Sequence, residues 1–150
     1  MLRIGVVSDT HGLLRPEVEE SLAGCDRILH AGDVDRAFVL DCLELIAPVR
    51  AVRGNNDARL GELPDILEFE EEDFRFCMIH DRKQLPRVPE GTDIVVFGHT
   101  HRFLAEERDG IFWLNPGTCG PCRFGAPVTW AILTLDRGTL QVQKHRLPEK

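Results

Sequence analysis

Four short segments of this chain group acidic, amide and imidazole side chains in a way that points to divalent-metal chemistry. They are Asp9-Thr10-His11, Gly32-Asp33, Gly54-Asn55-Asn56-Asp57 and Gly98-His99-Thr100-His101, and a lone His80 lies between the last two. Carboxylate oxygen, amide oxygen and imidazole nitrogen are usual ligands for borderline divalent cations. In Asp9-x-His11 and His99-x-His101, alternate residues of an extended chain point to the same side, so each pair can reach one centre. Gly32, Gly54 and Gly98 each precede a candidate ligand, where a missing Cβ permits a tight turn and close backbone approach. Taken singly, each residue has an ordinary explanation. Asp33 could cap the helix that follows it, and Asp9 or His80 could be a hydrogen-bonded polar group in the core. Taken together they recur at the ends of successive apolar runs, and that recurrence favours a metal site.

The apolar runs are the elements that must position these residues. Runs at 4–7, 28–29, 49–52, 76–79, 94–97, 111–114 and 128–135 are rich in Val, Ile, Phe or Trp, and turn residues bound most of them. They predict buried strands. One helix is expected from Pro16, at the first helical position, through Val18 and Leu22 to Gly24. A second is expected from about Asp35 to Leu45, with Phe38, Val39, Cys42, Leu43 and Ile46 at helical spacing. Both lie between early strands, so the first third reads as βαβαβ with parallel strands. After about Leu67 the chain reads as nearly all strand. The acidic run 68–73, broken only by Phe69, reads as a solvated turn between two strands. The whole of 1–150 is expected to form one domain, two packed sheets with helices outside. Parallel strands bring their C-terminal ends to one edge, which is where open α/β sheets build sites. The segments above, together with His30-Ala31 before Gly32 and Asn115-Pro116-Gly117, would meet there.

Composition narrows the function. The chain has 150 residues, 43% hydrophobic and 29% charged, as expected of a globular protein with one substantial core. A net charge of −7 argues against stable nucleic-acid binding or an anionic-membrane surface. It is compatible with a small anionic substrate, because bound metals invert the local field. The N-terminal apolar run is too short to span a membrane and has no signal-peptide layout, so a cytoplasmic protein is expected. Five cysteines form no disulfide framework. Cys119-Gly-Pro-Cys122 has the letters of a dithiol redox motif, but turn residues flank it on both sides where a strand and a helix are needed. Free thiols or a stray loop disulfide is the better reading.

The motifs in this order resemble the calcineurin-like metallophosphoesterases, most of all the small YfcE-like subgroup. Asn115-Pro116-Gly117-Thr118 is similar to a turn of that subgroup, and the likeness runs from Met1 to about Asp136. The resemblance implies the metallophosphatase fold, a four-layer α/β/β/α sandwich of two mixed sheets. It implies two divalent metals, one on Asp9, His11, Asp33 and His101, the other on Asp33, Asn55, His80 and His99, with Asp33 shared. Manganese is the expected ion, with nickel, zinc, iron and cobalt as alternatives. Two metals about 3.5–4 Å apart clamp both oxygens of an in-line displacement and supply hydroxide to attack phosphorus. Asp33, Asn55 and His11 are then catalytic, and Asn55, Asn56, Arg82 and Arg123 are candidate substrate contacts. The expected activity is hydrolysis of small phosphodiesters or phosphomonoesters, diesters above all, by a chain that could self-associate. The alternative is a protein-interaction scaffold of the same fold, as in the related retromer subunit. The sequence departs from the family where larger relatives carry a histidine, here Asn56, and where Gly-His commonly follows His80, here Asp81-Arg82. An amide cannot protonate a leaving group, so good leaving groups should be favoured. His30 is expected in the core or behind the ligands, and His145, in the polar tail, receives no role.

Overall fold

The computed structural model describes residues 1–60, 62–122 and 125–148. In chain order the elements are β1 (Leu2–Val7), α1 (Pro16–Leu22), β2 (Arg27–His30), α2 (Ala37–Glu44), β3 (Val49–Ala51), β4 (Ile66–Glu71) and β5 (Phe74–Ile79). There follow a 3₁₀ turn (Arg82–Gln84), β6 (Ile94–Val96), β7 (Phe103–Arg108), β8 (Ile111–Pro116), β9 (Thr129–Asp136) and β10 (Thr139–Arg146). They form two five-stranded mixed sheets, ordered β10-β9-β1-β2-β3 and β4-β5-β6-β8-β7. β1, β2 and β3 are parallel, as the expected βαβαβ unit requires, and so are β5, β6 and β8. Described residues include no helix long and apolar enough to cross a membrane.

Strand alternation builds the sandwich. Ile4 and Val6 of β1, Leu29 of β2 and Leu133 of β9 face Phe76, Met78, Ile94, Val96 and Leu114 of the other sheet, and all are buried. The opposite side of the first sheet takes both helices. Val18, Leu22, Val39 and Leu43 pack there on Val7, Ile28, Trp130 and Ile132. α1 and α2 are seven and eight residues long, too short to hold without this packing. Gly5 lets α1 approach, because a Cβ there would strike the Leu22 side chain.

The outer side of the second sheet has no α-helix among the described residues. Its cover is the 3₁₀ turn and the loop after it, with Leu85 and Val88 over Cys77, Val95, Phe97 and Trp113. The Arg82 guanidinium lies 4.8 Å from the Phe97 ring centre and 5.7 Å from that of Trp113. Arg82, a candidate phosphate contact from sequence, is thus part of this cover.

Two polar stretches form edge strands. Glu68–Glu71, read as turn, belongs to β4, and only Glu72 and Asp73 turn the chain. Phe69 faces inward and stacks on Phe76 at 4.9 Å, while Glu68 and Glu70 face water. His145, read as tail, lies in β10 and stacks on Trp130 at 5.7 Å. α2 begins two residues later than expected, because Asp33 and Asp35 both have positive φ, 58° and 68°, which no helix admits. Asp33 therefore does not cap it. Truncating Arg82 tests the outer cover. Arg82→Ala should lower stability by about 1 kcal/mol and shift Trp113 fluorescence in a denaturant titration.

Candidate metal centre

β1, β2, β3, β5, β6 and β8 all end at one edge of the sandwich, and a polar segment leaves each of them. Beyond the strands, loops continue to zip together. Asp9 N–H donates to the Gly32 carbonyl at 2.9 Å, His11 N–H to Asp33 at 3.0 Å, and Gly12 N–H to Val34 at 2.9 Å. The buried Asp57 carboxylate accepts three backbone N–H groups, from Val34 at 3.1 Å, Asp35 at 2.8 Å and Gly54 at 2.9 Å, and so ties the β2 and β3 loops together. Asn115 does the same for the β6 loop. Its amide donates to the Gly98 carbonyl at 3.1 Å and to Thr100 Oγ1 at 3.0 Å.

These bonds hold a set of uncommon backbone conformations. Asp9, His11, Asp33, His99 and His101 have φ of 54°, 47°, 58°, 73° and 63°. Such conformations cost roughly 1–3 kcal/mol each when not glycine and cluster at functional sites. Close approach explains the glycines. A Cβ on Gly32, at φ 102°, would lie 2.7 Å from His80 Nδ1, and one on Gly98 would strike Ser8 Oγ.

The side chains converge. Asp9 Oδ2 accepts from Ser8 Oγ at 2.8 Å and from His99 N–H at 3.1 Å. Asp9 Oδ1 is buried and makes no hydrogen bond. It lies 3.4 Å from His101 Nε2, 3.8 Å from His80 Nε2 and 3.9 Å from His11 Nε2. Asp33 Oδ1 accepts from Asn56 N–H at 3.0 Å. Asp33 Oδ2 stands 3.3 Å from His80 Nε2 and 3.8 Å from His11 Nε2. His80 Nδ1 donates to the Ala31 carbonyl at 2.7 Å, and His11 Nδ1 to Asp35 Oδ2 at 3.2 Å. Each ring thereby turns its other nitrogen toward the carboxylates, the usual support for a ligating histidine. The motif pattern does not mark Asp35 or Asp57 for this work. Their signal was an acid two residues after a candidate ligand.

The spacing fits cations. Ligand atoms about 2 Å from one ion stand roughly 3.4 Å apart in a tetrahedral arrangement. Two groups have donor atoms all within 4.8 Å of one another: Asp9, His11 and His101, and Asp9, Asp33 and His80. Two buried carboxylates this close repel each other, and among the described residues only histidines pair with them. Burial pushes the Asp33 carboxyl up, yet His80, the Asn56 N–H and His11 outweigh it and hold it at about 2. Burial likewise lowers His80, but Asp33 and Asp9 leave it above its ordinary value. A divalent cation would satisfy Asp9 Oδ1 and His80 Nε2, both buried without hydrogen bonds.

The remaining candidates sit at the margin. The His99 side chain is 41% exposed, with Nε2 3.8 Å from Asp81 Oδ2 and its ring 5.2 Å from that of His80. Asn55 is exposed and lines a cleft of about 340 Å³ with Arg53, Asp65, His80 and Asp81. Asn56 reaches Asp33 through its backbone, and its side chain is outside. Arg82 lies on the outer cover, and Arg123 lies outside the described residues.

The profile of the calcineurin-like phosphoesterase superfamily domain matches residues 2–138. The chain belongs to this superfamily. A probable metallophosphoesterase of Methanothermobacter thermautotrophicus is 39% identical over 130 residues, 77% of this chain and 76% of that protein. The solved structure of an archaeal phosphodiesterase superposes with a TM-score of 0.83 at 28% identity, covering 97% of this chain and all of that one. Vps29 of Chaetomium thermophilum shares the calcineurin-like fold, with a TM-score of 0.79 at 18% identity over 97% and 95% of the two chains.

Two buried groups beside the centre do other work. His30 Nδ1 accepts from Gly32 N–H at 3.1 Å, so its proton is on Nε2, which donates to Thr10 Oγ1 at 3.0 Å. Thr10 in turn donates to the Val34 carbonyl at 3.3 Å. Burial lowers the His30 pKa to about 4. A depressed histidine contributes stability above its unfolded value of about 6.5 that is lost as pH falls through the folded value. Denaturant titrations of the metal-free protein should lose about 3 kcal/mol between pH 6.5 and 4 from His30, a slope that His30→Gln flattens. Cys119 is fully buried, and burial pushes its thiol up to about 12, so no reactive thiolate forms there. Cys122 is exposed. A thiol reagent at pH 8 should therefore label Cys122 in the native protein and reach Cys119 only after unfolding.

Proposed function

We propose that this superfamily member is a binuclear metal-dependent phosphodiesterase. One cation would be held by Asp9, His11, Asp33 and His101, the other by Asp33, Asn55, His80 and His99. The observation that carries this reading is the pair of buried, unbonded ligand atoms, Asp9 Oδ1 and His80 Nε2, among five convergent side chains. Asp33 is the shared ligand in this scheme, its Oδ2 3.8 Å from His11 and 3.3 Å from His80. Asp9 is the residue common to the two convergent groups and lies 3.9 Å and 3.8 Å from the same histidines. Manganese is the favoured ion, with nickel, zinc, iron and cobalt admitted by the same ligand set. Bound there, such metals would supply Lewis acidity and lower the pKa of water enough to provide hydroxide near neutral pH.

The chain's own residues do the rest. His11 and His80 are oriented by Asp35 and the Ala31 carbonyl, so that binding needs little reorganisation. Asn55 stands at the cleft wall, where it serves as ligand and as contact for a phosphoryl oxygen. Two divalent cations over Asp9 and Asp33, with one hydroxide, would leave about one net positive charge, which would draw a phosphate anion into an otherwise acidic protein. With Asn56 at the mouth, no imidazolium protonates the departing oxygen, so activated diesters should turn over fastest. The one core shared by both sheets supports a single domain over 1–150. Free cysteines at all five positions fit a reducing compartment such as the cytoplasm.

Hydrolysis of bis-p-nitrophenyl phosphate tests the reading. With added manganese the protein should release p-nitrophenol, and chelator or Asn55→Ala should cut the rate by at least about 100-fold. Equal rates in all three conditions would overturn it in favour of a non-catalytic scaffold.

A further inference from the structure

The edge that carries Asp9 and Asp33 has a second cleft. The first, lined by Asn55 and Asp65, lies toward β3 and β4, at one end of both sheets. The second, of about 520 Å³, is lined by His101, Arg102, Phe103, Pro127 and Lys144 and lies toward β7 and β10, at the other end. The candidate centre sits between them, touching one through His80 and the other through His101.

The two clefts differ in charge. In the first, Arg53 is neutralised by Asp65 at 2.8 Å, and Asp81 adds a further carboxylate. The second contains Arg102 and Lys144 and, among the described residues, no acidic side chain. Neither cation forms an ion pair among the described residues. Lys144 Nζ lies 5.0 Å over the Phe103 ring, an interaction weak enough at an exposed site to yield to an anion. In a chain of net charge −7, two cations beside a candidate metal ligand, with no carboxylate among the described residues that line the cleft, are a local reversal of sign.

A phosphodiester with its phosphorus at the centre sends one ester arm into each cleft. We propose that the cleft beside His101 takes an ester arm bearing a second phosphate, held by Lys144 and Arg102. The natural substrate class is then a nucleotide-like diester with a further phosphate on the arm directed toward β7 and β10. This rests on the phosphodiesterase reading and adds to it which side of the substrate is recognised and by what charge.

Two p-nitrophenyl esters test it: thymidine 5′-(p-nitrophenyl phosphate), and the same compound with a 3′-phosphate. The wild type should show a KM about tenfold lower for the 3′-phosphorylated ester, with kcat little changed, and the difference should shrink as salt is raised. Lys144→Ala combined with Arg102→Ala should bring the two KM values together, and Lys144→Arg alone should keep them apart. Equal KM values in the wild type, or a preference that survives the double substitution, would overturn the inference while leaving diester hydrolysis intact. Failure of the wild type to hydrolyse either ester or bis-p-nitrophenyl phosphate overturns the phosphodiesterase reading, and this one with it.

Discussion

Two carboxylates held close together in the protein interior set the terms for this structure. Asp9 is fully buried and Asp33 nearly so, and they leave adjacent parallel strands with ligand oxygens within 4.8 Å of each other. Placing like charges so close in a low dielectric is unfavourable unless cations or protons intervene. No lysine or arginine meets either carboxylate among the described residues; imidazoles from both sheets do. His11 follows β1 in the first sheet, whereas His80 and His101 follow β5 and β6 in the second. Charge balance at the edge therefore depends on how the two sheets pack. A cation bound there would link the sheets and add its binding free energy to theirs.

The local structure serves this arrangement at a visible cost. Five candidate ligands adopt positive φ, and the hydrogen bonds around them are dense enough to hold that strain. Asp57 is the clearest case. One buried carboxylate gathers three N–H groups from two loops and fixes Gly54 beside Asp33. His30 works differently. It stays neutral and spends both ring nitrogens on hydrogen bonds behind the site.

The parts of this site that announce themselves by polarity at a strand end were legible in sequence. Asp9, His11, Asp33, His80 and His101 follow apolar runs so regularly that their convergence could be expected from parallel strands alone. The fold followed from the same runs, with two systematic misses. Strands β4 and β10 lie at sheet edges, where one face is wet, so their polar alternation resembles turn or tail rather than strand. Among the described residues the helices lie on one sheet, and the other is covered by a 3₁₀ turn whose stacked arginine looks like any surface arginine in sequence. Supporting residues were least visible. Asp35 and Asp57 act through short contacts to backbone and ring nitrogens, which no periodicity encodes.

The Cys119-Gly-Pro-Cys122 loop shows why letters without context mislead. Its residues seat the chain against the β1 loop. Thr118 Oγ1 donates to the Asp9 carbonyl at 2.9 Å, and Arg15 donates to the Gly120 carbonyl at 3.0 Å. A Cβ on Gly120 would strike the Thr10 backbone, so the glycine is demanded by contact and not by a redox turn. Cys119 fills the space behind Ser8 as a small apolar side chain, which is why burial has removed its acidity. The loop's function is thus mechanical. It forms the back wall against which Asp9 keeps its left-handed backbone, and through Asp9 it supports the candidate metal centre.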